Sequence, residues 1–347
     1  MIARCACAPW PADASRTLLL AQTDRAVDAS GALPRLHSLL VSHRGELIYE
    51  EYFNGRKADD LDNVKSVSKS IISALVGVAI GQGTISDGVN ATLDEYFGET
   101  VGPGESSGKA GITIENPLTM QAGLRPTING NYGAWVLSDL WVQSALQQPL
   151  EDRPRTEMRY STGNTHLLSA ILTRATGQST LDFAREGLAG PPGFRLSPWP
   201  RDPQGIYFGG NDMQPAPRQM LAFGALYLNG GRLGNRQVVP ASRVQASLEP
   251  HALSPQGADR HYGYGWWMCT LMGHQAPHAW GHGGQFIMLV PDLDLLLVTT
   301  STPDADAGAH AQANRAYQLL QHNMRSAERY AVPLDLRVDK IVTHRQP

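Results

Sequence analysis

The sharpest change of polarity along the chain falls in Asp62–Gly83, DNVKSVSKSIISALVGVAIGQG, which opens polar, turns apolar from Ile71 to Ile80 and stops at Gly81-Gln82-Gly83. That pattern predicts a helix with a stop signal. Its apolar residues go round every face, which predicts a buried central helix. The apolar run is far shorter than the roughly 20 residues that span a bilayer. Upstream, Ser15–Ala29 has the spacing of an amphipathic helix, with Leu18, Leu19, Leu20 and Val27 on its buried side. HSLLVS (37–42) and ELIYEEYF (46–53) predict two strands around the turn His43-Arg44-Gly45.

From Thr84 to about Val239 strand signals fade and helical ones dominate. Short helices are expected at 112–123, 135–146, 166–176, 181–187 and 219–228, with Pro149–Thr156 a loop. Pro and Gly crowd the stretch 190–217, a long irregular excursion of the kind that shapes substrate sites. Beyond Val239 strands return at 262–269, 279–290 and 295–301, with Pro291–Asp294 a turn, and a last helix follows at 309–329. Two strands before the helical block and three after it predict an α/β (α+β) fold in which one five-stranded sheet is assembled from both ends of the chain. The expected units are 12–83 with 240–347 for the sheet, 84–239 for the helical block, and 1–11 as an extension.

Composition narrows the function. The 347 residues are 42% hydrophobic and 18% charged, with a formal net charge of −3. These values describe a globular chain with no electrostatic case for nucleic acid and no membrane-spanning segment. Cys5, Cys7 and Cys269 are too few for a disulfide framework, and Cys5-Ala6-Cys7 lacks the second pair of a zinc site. The opening MIARCACAPWP has no apolar signal-peptide core. If the natural start lay upstream, Cys5 or Cys7 would suit a lipid-anchored, exported protein, a hypothesis that mapping the native N-terminus tests. Compartment and oligomeric state stay open.

Ser66 and Lys69 stand at the mouth of the central helix, three apart and therefore stacked one turn above the other. Lost hydration and the positive end of the helix dipole both disfavour a charged lysine there, so its pKa is expected to fall toward neutrality. A neutral amine beside a hydroxyl is a base beside a nucleophile, and first-turn N–H groups can hold an oxyanion. Serines at helix starts are also common caps, and Lys69 could reach solvent, so this stretch supports both readings. A second Ser-x-x-Lys, Ser106 to Lys109, sits in the Gly-rich loop VGPGESSGKAG with no helix to place its lysine. Gly104–Gly108 also matches a nucleophile elbow, but without the strand before and helix after that the elbow needs. His274, His278 and His282 recur every four residues, yet Pro277 and Gly281 forbid the helix that would make them a metal face, and the first two read as surface residues.

Ser66-Val67-Ser68-Lys69, then Tyr160-Ser161-Thr162-Gly163-Asn164-Thr165-His166-Leu167-Leu168, then Trp280-Gly281-His282-Gly283-Gly284-Gln285 resemble the three signature elements of the penicillin-binding-protein-like serine hydrolases. The resemblance runs from about Ala12 to Ser301 and is greatest to the branch with class C β-lactamases, family VIII-type esterases, D-amino-acid peptidases and 6-aminohexanoate-dimer hydrolases. Leu118–Leu124 and Phe223–Gly230 are similar to that branch as well. It implies an antiparallel sheet flanked by helices, an all-helical domain beside it, and no metal or organic cofactor. Carried over by position, Ser66 would be acylated, Lys69 would be its base, and Tyr160 would relay protons, its phenol lowered by Lys69. His282, Gly283 and Gly284 would occupy the Lys-Thr-Gly place, with the Gln285 N–H completing the oxyanion hole. Thr162 and Asn164 would meet the substrate amide. Tyr132, Trp135 and Trp280 are candidates for the groove wall because aromatic rings fit apolar acyl groups, with core an equal reading for each, and in the helix 135–146 Trp135 and Trp141 read as core.

Two departures matter. Tyr160-Ser161-Thr162 stands for the family's Tyr-x-Asn, and His282 replaces a permanent cation. There is also no Glu-x-x-Leu-Asn segment of the class A type. The expectation is an acyl-enzyme hydrolase of esters or small amides. A β-lactamase or D-amino-acid peptidase is the alternative, and a domain that acylates without turnover is a further one.

Overall fold

The computed structural model describes residues 23–25, 27–28, 34–98, 108–188, 196–255, 257, 260–304 and 308–331. Only the end of the expected first helix falls within them, and it is helical. Cys5, Cys7, Ser106 and part of the 190–217 excursion lie outside.

The strands of the main sheet are β1 Leu36–His43, β2 Glu46–Tyr52, β3 Ala252–Leu253, β4 His261–Tyr262, β5 Trp267–Met268, β6 His278–Gly281, β7 Gln285–Val290 and β8 Leu295–Ser301. They form one sheet in the order β2-β1-β8-β7-β6-β5-β4-β3, and every pairing is antiparallel. The sheet therefore has eight strands, not five. The apolar stretch 279–290 is two strands folded on each other, because Gly283 and Gly284 take φ of +87° and +103° and turn the chain back. The stretch 262–269 is likewise broken between β4 and β5. The β1–β2 connection turns on Arg44 and Gly45, both at positive φ, the backbone of a two-residue hairpin.

Period-two alternation sorts the strand side chains onto two faces. Leu40, Ile287, Leu289, Leu296 and Val298 join the main core with the helical block. Leu39, Val41, Phe286, Met288, Leu295 and Leu297 pack under Leu319, Leu320 and Met324 of the C-terminal helix Ala309–Ala331. Burial on both faces explains why Leu295–Ser301 is buried at every position and reads as a continuous apolar run. In the helical block the expected helix 135–146 is two short ones, Tyr132–Val136 and Trp141–Leu146, and the segment 112–123 keeps one turn, Glu115–Leu118.

The central helix, α1, spans Ser68–Gly81 and is buried from Ser68 through Ala79. A 3-10 turn, Lys65–Val67, precedes it. Its buried hydroxyls are all used. Ser70 Oγ donates to the Gly265 carbonyl at 2.6 Å, Ser73 Oγ to that of Tyr264 at 2.7 Å, and Ser68 Oγ to that of Lys65 at 2.6 Å. A helix apolar all round has no amphipathic stripe to fix its rotation, and these bonds supply that fix. Ser70→Ala would leave the Gly265 carbonyl without its donor, so urea denaturation should show a loss of about 1–3 kcal/mol. An unchanged midpoint would mean that the helix is held by packing alone.

Candidate active site

Lys65 takes φ of +49°, an uncommon conformation for a residue with a side chain, and it throws Ser66 into the 3-10 turn ahead of α1. Neither helix start has a side-chain cap bond, so Ser66 and Ser68 are not caps. Lys69 reaches back instead. Its Nζ lies 3.0 Å from Ser66 Oγ and donates to the Gly210 carbonyl at 2.5 Å, while the residue is only 1% exposed. Burial lowers its pKa to about 7, with the Asp212 carboxylate pulling the other way. Asp212 itself is held by Lys65 Nζ at 3.3 Å and Asn63 Nδ2 at 2.8 Å.

Tyr160 completes the cluster, its ring centroid 5.0 Å from Lys69 Nζ. Burial pushes its phenol up, and a hydrogen bond with Ser66 offsets this in part. The expected lowering by Lys69 does not occur, because an amine with a pKa of about 7 is not a permanent cation. The phenol stays protonated through the neutral range. Its ring stacks on Trp267 at 5.4 Å and 24°, and Trp267 meets Trp280 edge-on at 5.9 Å. The Trp280 indole Nε1 is buried with no hydrogen-bond partner among the described residues.

Strand β6 brings its edge to the same place. A Cβ on Gly281 would lie 2.2 Å from the Val64 carbonyl, so only glycine lets the strand approach the Ser66 turn this closely. Main-chain groups alternate direction along a strand. Leu289 N–H bonds to the Pro277 carbonyl at 2.9 Å, which directs the groups of 277, 279 and 281 toward β7. Those of 278, 280 and 282 face the other edge, where His278 pairs with Trp267. Gln285 therefore corrects an expectation: it pairs with Gly281 inside the ladder, and its side chain is tied to Ser301 by bonds of 2.6 and 3.1 Å. Extending the same alternation one residue past the end of β6 assigns the edge-facing N–H after the close-packed glycine to His282. The His282 ring meets His310 at 5.5 Å, and Gly283 and Gly284 serve the turn rather than the edge.

Other expected residues separate. Trp135 is core, its ring packed among Trp141, His166 and Phe208. Thr162 is buried at the start of the helix Thr162–Thr176, α2, beneath Gly210, and Asn164 turns its amide to the Met120 sulfur at 3.9 Å. Tyr132 does stand beside the 210–212 segment, through a hydrogen bond with Asn211. His278, expected at the surface, is buried with Nδ1 2.9 Å from the Ala276 carbonyl. Pattern reasoning missed Gly210, Asp212 and Trp267, which are far from Ser66 in sequence and carry no local signal. Among the described residues no group of three or more His, Cys, Asp and Glu side chains is placed to hold a metal ion.

A buried serine–lysine pair beside a protonated tyrosine and a strand edge paired at His278 with Trp267 defines a penicillin-binding-protein-like site. The family model named Beta-lactamase matches residues 23–322, and the chain belongs to that family. It is an enzyme of the serine hydrolase class. The chain is 26% identical over 307 residues to a 6-aminohexanoate-dimer hydrolase of Paenarthrobacter ureafaciens, covering 78% of this chain and 73% of that one. Its fold is similar to that of EstCE1, a hydrolase with promiscuous acyltransferase activity, with a TM-score of 0.71 at 17% identity over 91% of this chain and 99% of that one. It is similar also to a D-stereospecific amidohydrolase from Streptomyces, with a TM-score of 0.64 at 17% identity over 85% and 97%.

The lysine sets a pH dependence. Below a pKa of about 7 Lys69 is an ammonium and accepts no proton; above it the amine is neutral. The rate at which Ser66 is acylated by an activated ester should therefore fall as pH drops through about 7, followed by stopped-flow release of p-nitrophenol between pH 5 and 9. A flat profile would show that Lys69 is not the base.

Proposed function

We propose that this enzyme hydrolyses carboxylic esters or small amides through an acyl-enzyme at Ser66. The observation that carries the reading is the buried Lys69 amine, its pKa lowered to about 7, 3.0 Å from Ser66 Oγ. Neutral Lys69 takes the hydroxyl proton as Ser66 Oγ bonds to the substrate carbonyl carbon. The charge that develops on the carbonyl oxygen meets the N–H groups of Ser66 and His282. As the bond to the leaving group breaks, Tyr160 gives that group its proton and regains one from the Lys69 ammonium. A raised phenol pKa suits this task, since it keeps Tyr160 protonated as an acid at neutral pH. Water then attacks the acyl carbon by the same route in reverse and frees Ser66.

Substrate class follows from what lines the edge. Tyr160, Trp267 and Trp280 form a continuous aromatic wall suited to an apolar acyl or alcohol group. The strand that passes Ser66 reads His278-Ala279-Trp280-Gly281, which carries no permanent cation for the carboxylate of a β-lactam. The similar protein from Paenarthrobacter ureafaciens is named for an amide substrate, and EstCE1 for hydrolysis and acyl transfer. An acyl-enzyme at Ser66 would serve ester and amide hydrolysis alike.

The test is multiple-turnover hydrolysis of short p-nitrophenyl esters. Ser66→Ala should lose at least about a thousandfold in kcat, as removal of a nucleophile does, while Ser106→Ala keeps wild-type rates. Loss in Ser106→Ala alone would overturn the assignment. Release of a single equivalent per chain would point to an acylation sensor, and nitrocefin turnover abolished by Ser66→Ala would move the substrate to β-lactams.

A further inference from the structure

His166 and Asp202 are both fully buried, yet neither touches the reacting groups. His166 Nε2 lies 3.0 Å from Asp202 Oδ2, and both side chains are completely shielded from solvent. The ring sits in a cage of Trp135, Trp141 and Phe208 with centroids 5.0 to 6.0 Å apart. A polar pair in apolar surroundings is costly unless each polar atom is satisfied. Here each is. Asp202 Oδ1 accepts from the N–H groups of Gln204 at 2.9 Å and Ile206 at 2.8 Å, and His166 Nδ1 accepts from the Gly209 N–H at 3.4 Å. With Nδ1 an acceptor, the ring proton sits on Nε2 and is donated to Asp202. His166 thereby pins both ends of the 202–209 turn to α2.

The next residue is the one that matters. Gly209 and Gly210 lie so close to α2 that added Cβ atoms would fall 2.1 Å from the Thr165 carbonyl and 2.6 Å from Thr162. The Gly210 carbonyl accepts the Lys69 N–H, and Asp212 two residues on faces the same amine. Resting on the serine–lysine reading of the site, we propose that the His166–Asp202 pair is a positioning device: it fixes the tautomer of His166, which seats Gly209 and so aims the Gly210 carbonyl at the Lys69 amine. The other ionisable groups around that amine are Tyr160 on one side and the Lys65–Asp212 pair on the other.

Asp202→Asn tests this with little change of shape. Oδ1 must stay an oxygen to accept from Gln204 and Ile206, so the new Nδ2 faces His166 Nε2. The ring proton is forced onto Nδ1, and two donors then oppose each other at Gly209. Gly210 is displaced, and the Lys69 ammonium loses its carbonyl partner, which makes the charged form harder to hold. The expected result is that kcat/KM for a p-nitrophenyl ester falls by about a hundredfold, the scale of a misplaced catalytic group. The acid limb of its pH profile should move to lower pH. His166→Asn provides the control for stability: its Oδ1 can replace Nδ1 as acceptor for Gly209 while the bond to Asp202 is lost. That variant should melt at a lower temperature and keep the wild-type acid limb. A wild-type limb in Asp202→Asn, or the same shift in both variants, overturns the inference while Ser66→Ala stays inactive in the same assay. If Ser66→Ala turns over normally, the serine–lysine reading fails and the inference falls with it.

Discussion

A lysine amine buried beside a serine has to be neutral to be useful, and keeping it neutral constrains everything around it. Moving its pKa from 10.5 to about 7 reflects on the order of 5 kcal/mol of differential stabilisation of the uncharged form. Water could undo that by solvating the ammonium, so the amine needs walls. Those walls are the first turn of α1, the Tyr160 ring and the 210–212 segment. They come from three distant parts of the chain. A neutral amine still has N–H groups to satisfy, and the Gly210 carbonyl takes one without bringing a formal charge. Asp212, which would favour the ammonium, is partly neutralised by Lys65 at 3.3 Å.

The proposed acylation also needs a main-chain donor opposite the nucleophile, and strand parity supplies a candidate. A strand offers its N–H groups alternately to its two neighbours. Pairing β6 with β7 through 277, 279 and 281 leaves 280 and 282 turned to the edge that passes Ser66. A shift of one residue would bury those groups in the ladder and present a different set of side chains. The glycine at 281 is fixed by the same geometry, since it is the point where strand and nucleophile turn meet at the Val64 carbonyl. On this reading the oxyanion donor of the third signature element is the His282 N–H, three residues before the Gln285 N–H that the His-Gly-Gly spelling suggests.

Much of this was legible in the sequence. The central helix, the lowered lysine, the flanking hairpin, the strand Leu295–Ser301 and the final helix all follow from polarity, periodicity and turn residues, which are local. Resemblance to the family then brought Ser66, Lys69 and Tyr160 together. What was not legible depends on contacts between distant segments. An apolar run such as 279–290 does not say whether it is one buried strand or two facing each other. Gly283-Gly284 held the signal of a turn, but read as a substrate-facing glycine pair it concealed the hairpin, and with it the true position of Gln285. Trp135 read both as core and as groove wall, because aromatic residues suit apolar substrates. They suit cores equally, and only the three-dimensional packing against Trp141 and Phe208 separates the cases.

The direction of the Tyr160 shift carries the mechanism further than the motif does. The resemblance implied a phenol lowered by positive charge on Lys69. Burial drives the amine down to about 7, as the helix position predicted, and the phenol up, against the expectation, so above that pH the pair rests as neutral base and neutral acid. Pushing two neighbouring pKa values in opposite directions separates acid from base more cleanly than a shared ion pair would. In the proposed mechanism the cation that a phenolate would need appears only transiently, once Lys69 has taken the Ser66 proton. At that moment Tyr160 can release its own proton to the leaving group, because the ammonium beside it can replace it at once. Proton delivery is thereby tied to nucleophilic attack, and the same apolar enclosure that neutralises the resting site is what makes the coupling strong.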